Sequence, residues 1–512
     1  MSVSSTRSAV RRSPAPELDM PDRSVHGLVL ERARSRRDDP AIVDAATGRG
    51  LSYGELAMAS GWVASGLARR GFGRGDVLAL HSPNCPEWPA TFLGALWAGG
   101  TVACTNPLYK TDELAHLLEL SSADLMMTTP QFREGARDAG ARDPIVFSEL
   151  LSAEPAPGEA EVDPAADVAA LLYSSGTSGL PKAVELTHRN VVANMLQMAW
   201  GVPLGPGDRM LAVAPFFHSM GLSAILLNAL YQGATVVSVP RFEVESFLAA
   251  LQDHRITHTI VPPSVALLLS GLPLVDEYDL SALRVLGVGS APVSAELEIE
   301  CEQRLDCLVG QGYGLTEATA VVAIQPMGQP ERVRHGAVGM LAPGNEMQVV
   351  DPVSAEPLAP GEAGEIWLRG PCVMRGYRGN PKATAEALAE GGWLRTGDLG
   401  SIDDDGFVYV HDRLKELIKC KGYQVAPAEL EGVLATHPAV AEAAVIGIPD
   451  AAAGEVPKAF VAARAPIEAG ELMAFVAERV APYKRIREVE FLDAIPKNPT
   501  GKILRRVLRE RG

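Results

Sequence analysis

The chain lacks any Cys-x-x-Cys pair. Its six cysteines, Cys85, Cys104, Cys301, Cys307, Cys372 and Cys420, are scattered. That spacing fits neither a zinc site nor a disulfide framework, so a reducing cytoplasm is the expected compartment. Net positive charge is also missing. The 46 Lys and Arg against 63 Asp and Glu leave −17 at pH 7, and long-range repulsion argues against a general binder of nucleic acid or anionic membrane. No apolar run approaches the roughly 18 residues that span a bilayer; the nearest, SVALLLSGLPLV, is interrupted by Ser270, Gly271 and Pro273. No membrane or nucleic-acid partner is therefore expected. The opening MSVSSTRSAVRRSPAPELDMPDRS is rich in Ser and Arg but has no apolar stretch after its basic residues, as a secretory signal would. Residues 1–24 read as a mobile tail, with an organellar transit peptide as the competing reading. Internal repeats and low-complexity blocks are absent.

What is present, 512 residues of which 47% are hydrophobic, suffices for more than one domain. LSYGELAMASGWVASGLARRG reads as a strand edge followed by an amphipathic helix, and DVLALHS as a buried strand. The same beat returns in ILLNALYQGATVVSVP and FLAALQDHRITHTIVPP, which predicts an α/β fold with two stacked βαβ-type sheets. From about Asn345, MQVVD, GEIWLRG and GFVYVHD predict a β-rich subdomain. After VHDRLKELIKCKGYQ the pattern is mixed α and β again, long enough for a small α+β domain.

The stretch SSGTSGLPKAVELTH begins at Ser174, after the apolar run VAALLY. Small and hydroxyl residues there, Gly176, Thr177, Ser178 and Gly179 behind Ser174 and Ser175, expose N–H and O–H donors to an anion, and Lys182 adds a positive charge. The Gly-Lys-Ser/Thr ending of a Walker loop is missing. The bland alternative is a polar turn between a strand and a helix. Further on come GQGYGLTEAT, GWLRTGDLG, HDRLKELIKCKGYQVAPAELE and NPTGKILRR.

With these motifs in this order, nearly the whole chain after the tail resembles the adenylate-forming superfamily, and within it acyl-CoA ligases of the 4-coumarate-CoA ligase type. The resemblance implies a large domain over residues 25–414, a hinge at Lys415, a mobile domain over 416–512, and an active site between them. It also implies ATP and CoA as substrates, Mg2+ as cofactor, an acyl-AMP intermediate and AMP as leaving group.

The resemblance places Thr316 at the nucleotide phosphate and Glu317 on magnesium, which prefers oxygen ligands; a capped turn is the bland alternative. Asp398 and Arg413 match ribose contacts. Ser290, Ala291 and Pro292 match the adenine loop, facing Gly312, Tyr313 and Gly314, where the Tyr313 ring would stack on the base. Lys502 matches the lysine that reaches the acyl carboxylate and α-phosphate. Lys419 and Gln424 match catalytic positions, and Lys421 and Gly422 the pantetheine tunnel. His218 matches an acyl gate, a satisfied core histidine being its alternative. For the acid itself the implied pocket is Met220, Ser223, Val261, Pro262, Gly287, Gly289 and Val321. Met220, Ser223 and Gly287 stand where 4-coumarate ligases commonly place tyrosine, asparagine and lysine, so a bulkier hydrophobic acid is expected.

One residue departs from the nucleotide signature. Ala183 follows Lys182 where the family has glycine. Were φ positive there, a Cβ would cost about 1–2 kcal/mol and would weaken ATP-dependent adenylation, the step that carries the β- and γ-phosphates. That leaves three further readings: an enzyme confined to joining a supplied acyl-AMP to CoA, with a partner adenylating ligase; an adenylation enzyme loading a carrier protein; and a non-catalytic acyl-nucleotide binder. A homodimer is compatible with all of them.

Overall fold

The computed structural model describes residues 10–150, 158–175, 181–421, 423–450, 453–497 and 501–511. Four sheets organise them, of nine, seven, six and five strands. The predicted α/β alternation is realised in the two largest. In the seven-stranded sheet, Thr101–Thr105, Val77–His81, Leu125–Thr128 and Ile145–Val146 run parallel beside Val168–Ser175. The centre of the nine-stranded sheet is a parallel set in the order Leu308–Tyr313, Val285–Val288, His258–Val261, Arg209–Ala212, Thr235–Ser238 and Pro40–Asp44. Parallel strands are covered on both faces, which is why they read as unbroken apolar runs such as VLALH, buried at all five positions.

The helix Tyr53–Ala68 starts where the sequence predicts. Ser52 accepts from the Glu55 N–H and the Glu55 carboxylate accepts from the Ser52 N–H, so two orphan donors are satisfied at once. A large apolar core includes Trp88 stacked on Phe92 at 5.4 Å and tilted against Phe216 at 5.4 Å; each such ring contributes about 1.5–3 kcal/mol by burial. A second core lies under the helices Val244–Asp253, Pro263–Gly271 and Ala295–Leu305.

The strand-rich segment forms the six-stranded sheet, through Glu346–Val350, Gly364–Arg369, Trp393–Ile402 and Val408–Arg413. The expectation of a mobile tail needs correcting for its described part. Arg11 and Arg12 pair antiparallel with Met347 and Glu346, and the Ser13 hydroxyl donates to the Leu341 carbonyl at 2.6 Å. An open sheet edge offers unpaired backbone groups, and this short strand satisfies some of them.

Lys415 lies in the single turn Leu414–Glu416, between Val408–Arg413 and the first strand of the five-stranded sheet, Ile418–Cys420. That sheet carries its own core, with Val440–Asp450 and Gly454–Ala463 as a long antiparallel pair.

Candidate active site

The Ser174–His188 stretch is built as a hairpin. Val168–Ser175 and Pro181–Thr187 run antiparallel, with Ser174 opposite Lys182 and Tyr173 opposite Ala183. The helix His188–Gly201 begins only after Thr187, whose side chain caps it by accepting from the Asn190 N–H. Among the described residues the stretch is therefore two paired strands, with the helix following the second. Gly176, Thr177, Ser178 and Gly179, together with Gly422 of the CoA motif, lie outside the described residues, as do the side chains of Ser175 and Gln424.

Lys182 and Ala183 occupy opposite faces of this strand, because side chains alternate along it. The Lys182 Nζ sits 4.7 Å from the Tyr377 ring centroid, and the Tyr377 hydroxyl donates to Glu317 Oε1 at 2.9 Å. A cation, a ring and a carboxylate thus form one line. Burial, then the Glu317 charge, push the Tyr377 phenol well above its ordinary value, so it remains a donor. Ala183 faces the other way. It is 1% exposed and lies beside Tyr173, whose hydroxyl donates to the Leu117 carbonyl at 3.2 Å. Its φ is not positive, and its carbonyl accepts from the Arg378 N–H at 2.9 Å. The strain that a positive φ would bring to this alanine is absent, because the position is ordinary strand interior.

Thr316 and Glu317 fall in the short turn Thr316–Ala318, held where the Met374 N–H donates to the Glu317 carbonyl at 2.8 Å. Across the cleft, Tyr313 and Asp398 meet: the Tyr313 hydroxyl donates to Asp398 Oδ2 at 2.7 Å. Arg413, the cross-strand partner of Asp398, places Nε 3.2 Å from Oδ1. Asp398 is 4% exposed, and burial raises its carboxyl above the ordinary range while Arg413 opposes the shift. Each carboxylate oxygen retains a lone pair for a ligand hydroxyl. Ser290, in the loop expected beside adenine, has φ +81. A serine held in the left-handed region is strained by roughly 1 kcal/mol or more, a cost that tends to concentrate at binding sites.

Lys502 enters this cleft from the small domain. Its ammonium lies in the fields of Arg413, Asp398 and Lys415, and it depresses His218 as well. Burial, then Arg413, lower the Lys502 pKa to about 8. The preceding Gly501 has φ +81, and a Cβ there would stand 3.0 Å from Pro262 Cβ. Glycine is needed on both counts. His218 Nδ1 accepts from the Met220 N–H at 3.4 Å, which puts the ring proton on Nε2. Burial first, then Lys502, lower its pKa to about 4, so the gate is neutral.

Beyond His218 opens a cavity with an empty volume of about 710 Å³, part of it continuous with solvent. Met220, Gly287, Gly289 and Val321 line it as expected, together with Ser290 and the facing Gly312, Tyr313 and Gly314. Three of the expected pocket residues do not line it. Val261 points into the second core, and strand alternation brings its neighbour Ile260 to the cavity instead. The Ser223 hydroxyl is spent on Asn194 Oδ1 at 2.9 Å. Pro262 packs under the Gly501 loop. Met198, Met210, His258 and Met327 also line the cavity; no motif marks them in the sequence, since only sheet register and helix packing bring them in.

Lys419 and Lys421 do not line this cavity. Lys419 and Lys421 are exposed on the small domain, where the Lys419 N–H donates to Glu455 Oε2 at 2.7 Å and the Lys421 N–H to the Ala453 carbonyl at 2.7 Å. Among the described residues no group of three His, Cys, Asp or Glu side chains could hold a metal ion. No helix among them is long and apolar enough to cross a membrane.

Two α/β sheets, a buried Tyr–Asp pair with Arg413 at its edge and a lysine delivered from a small terminal domain define an adenylate-forming enzyme. The AMP-binding enzyme family matches residues 29–378, and the AMP-binding enzyme C-terminal domain matches residues 429–502. The chain belongs to this family, as an acyl-CoA ligase of the AMP-forming acid–thiol type. It is 38% identical to a 4-coumarate–CoA ligase of Pinus taeda over 98% of this chain and 97% of the relative. It is 40% identical to a probable CoA ligase of Humulus lupulus, over 95% and 92%. Among solved structures, an anthranilate CoA ligase in complex with anthranoyl-AMP superposes with a TM-score of 0.88 at 26% identity, covering 96% of this chain and 98% of that one. An o-succinylbenzoate CoA synthetase of Bacillus subtilis, in complex with ATP and magnesium, gives 0.83 at 31%, over 94% and 99%.

Proposed function

We propose that this protein is a complete acyl-CoA ligase that activates a hydrophobic carboxylic acid with ATP and passes the acyl group to CoA. The observation that carries the reading is Lys502, half-buried in the fields of Asp398 and Arg413 and beside His218, which lines an apolar cavity. In the first step a carboxylate oxygen of the acid attacks the α-phosphorus of ATP, the bond to pyrophosphate breaks, and acyl-AMP forms. Lys502 balances charge between the carboxylate and the α-phosphate, while Asp398 and Arg413 orient the ribose and Tyr313 offers a ring face to the base. The neutral His218 adds no competing charge beside the acyl group. In the second step the sulfur of CoA attacks the acyl carbon, AMP leaves, and the thiol proton is lost.

Magnesium suits the donor set. Glu317 has a carboxylate whose Oε1 is oriented by Tyr377, and this ion characteristically takes one or two carboxylates plus substrate phosphates. Glu317 would hold it, and the ion would supply charge neutralisation on the phosphates.

Lys419 and Lys421 lie on the small domain and do not line this cavity. A rotation at Lys415 would replace Lys502 by that face for the second step, with Gln424 and Gly422 in the same motif. The unstrained backbone of Ala183, and a methyl facing away from Lys182, favour a working first step over confinement to thioesterification. The test offers a panel of hydrophobic acids with ATP, magnesium and CoA, and in parallel the matching acyl-AMPs with CoA alone, with acyl-CoA measured by mass spectrometry. Product in both arms is expected; product from the adenylates alone would sink the complete-ligase reading.

A further inference from the structure

The loop Ser290 to Pro292 and the strand end at Gly312 and Tyr313 are, in the ligase reading, the two walls of the adenine slot. Ser290, Ala291 and Pro292 are exposed, and Ser290 is held at φ +81, so burial of their own side chains does not fix this loop. Its backbone anchors do. Upstream, the Gly289 N–H donates to the Val261 carbonyl at 3.0 Å. Downstream, the Gln311 amide grips Val293 twice: Oε1 accepts from the Val293 N–H at 2.9 Å, and Nε2 donates to the Val293 carbonyl at 3.1 Å. The backbone of Val293 admits only this orientation of the amide, since the reverse would set donor against donor and acceptor against acceptor. Gln311 directly precedes Gly312 and Tyr313 in the strand Leu308–Tyr313. One side chain therefore joins the two walls.

Behind that side chain stands Glu298, on the helix Ala295–Leu305 and 1% exposed. Its Oε2 accepts from Gln311 Nε2 at 3.0 Å and from the Gly336 N–H at 2.6 Å. The segment after Gly336 pairs in turn with the strand that ends in Arg413: the Val338 N–H donates to the Val408 carbonyl at 2.9 Å, and the Val408 N–H to the Gly339 carbonyl at 2.9 Å. A single buried oxygen thus backs the base slot and is tied to the strand read as holding the ribose. The other oxygen, Oε1, has no hydrogen-bond partner among the described residues. A carboxyl group half-used in the interior costs stability that an apolar side chain would not, so packing alone does not account for an acid here.

We propose that Glu298 is a positioning residue for the nucleotide: it orients Gln311, and Gln311 holds the loop from Ser290 to Pro292 at the separation from Tyr313 that admits adenine. The inference rests on the ligase reading for the placement of adenine between these walls. Without Oε2, Gln311 Nε2 keeps an unsatisfied buried N–H and the Gly336 N–H loses its acceptor. Relaxation of either group loosens the grip on Val293, and the strain at Ser290 is then free to move the loop.

The experiment measures, in the full chain, KM for ATP, acid and CoA, KM for supplied acyl-AMP in thioester formation, and Kd for ATP and AMP by calorimetry, which reads binding without turnover. In Glu298→Leu the constants for ATP, AMP and acyl-AMP are expected to rise about tenfold, the worth of one buried hydrogen bond, while KM for acid and CoA stays within about twofold. Glu298→Gln keeps an acceptor oxygen for both N–H groups and should hold the nucleotide constants within about twofold of the parent. Glu302→Leu controls for a general loosening of the helix. It removes a carboxylate that accepts from the Val309 N–H at 3.3 Å and lies 3.0 Å from His335 Nε2, with no bond to Gln311, and it should lower Tm while leaving ATP binding within about twofold. Should Glu298→Leu fail to fold, Gln311→Leu takes its place with the same expectation. Unchanged nucleotide constants in that variant, an equal rise in every KM, or an equal loss of ATP binding in Glu302→Leu overturns the proposal and leaves the ligase intact. Absence of acyl-CoA from every acid, with the ATP and AMP constants divided as expected, overturns the ligase reading and not the role of Glu298.

Discussion

Replacing Gly501 by alanine perturbs the delivery of Lys502 without touching its charge. Two costs can be worked from the structure. The backbone sits at φ +81, where an L side chain costs about 1–2 kcal/mol. The new Cβ would also stand 3.0 Å from Pro262 Cβ, close enough that the loop or the proline must shift by a few tenths of an ångström. The first cost weighs on adenylation to the extent that the loop relaxes once the small domain has turned away; the second is met only with Lys502 inserted. Together they put the inserted arrangement up by about 1–2 kcal/mol, which at 1.36 kcal/mol per decade is a loss of roughly 5- to 30-fold in adenylation. The assay measures pyrophosphate release with acid, ATP and magnesium, against thioester formation from supplied acyl-AMP and CoA. Gly501→Ala should slow the first by that factor and leave the second within about twofold, with little change in Tm. Equal losses in the two half-reactions, or none in either, would refute the argument that this glycine serves insertion of the lysine.

Other outcomes follow from the same geometry. The lowered pKa of Lys502, about 8 against an ordinary 10.5, means that its cation is present below that value and lost above it. kcat/KM for adenylation should therefore fall as pH rises through about 8, a limb absent from thioester formation, and Lys502→Arg should move it upward. Tyr313→Phe removes the donor to buried Asp398 and should lower stability by about 1–3 kcal/mol, read as a drop in Tm, together with weaker ATP binding. Ala183→Gly should cost about 0.5–1 kcal/mol of stability, as glycine does inside a strand, and leave ATP-dependent activity unchanged; a tenfold gain in adenylation would restore the idea of an impaired loop. Ser290→Gly relieves the positive φ, and a Tm no higher than that of the parent would show that the strain at Ser290 is offset by contacts of its hydroxyl.

Much of the site was legible in the chain because short motifs carry their own local geometry. Ser52 and Glu55 at capping spacing start a helix wherever the chain is placed. The ordered motifs around Glu317, Asp398, Arg413 and Lys502 resembled one family closely enough to place each residue in a single cleft. Legibility failed where a residue's role depends on which face of a strand it occupies. Val261 was expected in the acyl pocket, and its neighbour Ile260 is there instead. Both are apolar β-branched residues in a strand covered on both sides, so hydrophobicity could not tell the faces apart. Strain at Ala183 is conditional, in the sequence, on a positive φ that a glycine in its place would tolerate, and only pairing with Tyr173 reveals strand interior there. The segment holding Arg11 and Arg12 looked like a free tail, since only the exposed edge of a distant strand gives it a partner.

By itself, the sequence determined the alternation of helices and strands, the set of groups able to handle a nucleotide and a carboxylate, and the flexible Gly501 beside Lys502. Local spacing and residue chemistry suffice for these. Tertiary structure alone decided that Lys182 and the Ala183 methyl part to opposite faces, that Tyr313 spends its hydroxyl on Asp398, and that Ile260 rather than Val261 meets the cavity. A strand's period of two states which residues share a face, but the face that meets the cavity is chosen by register with neighbouring strands and by the helices laid over them.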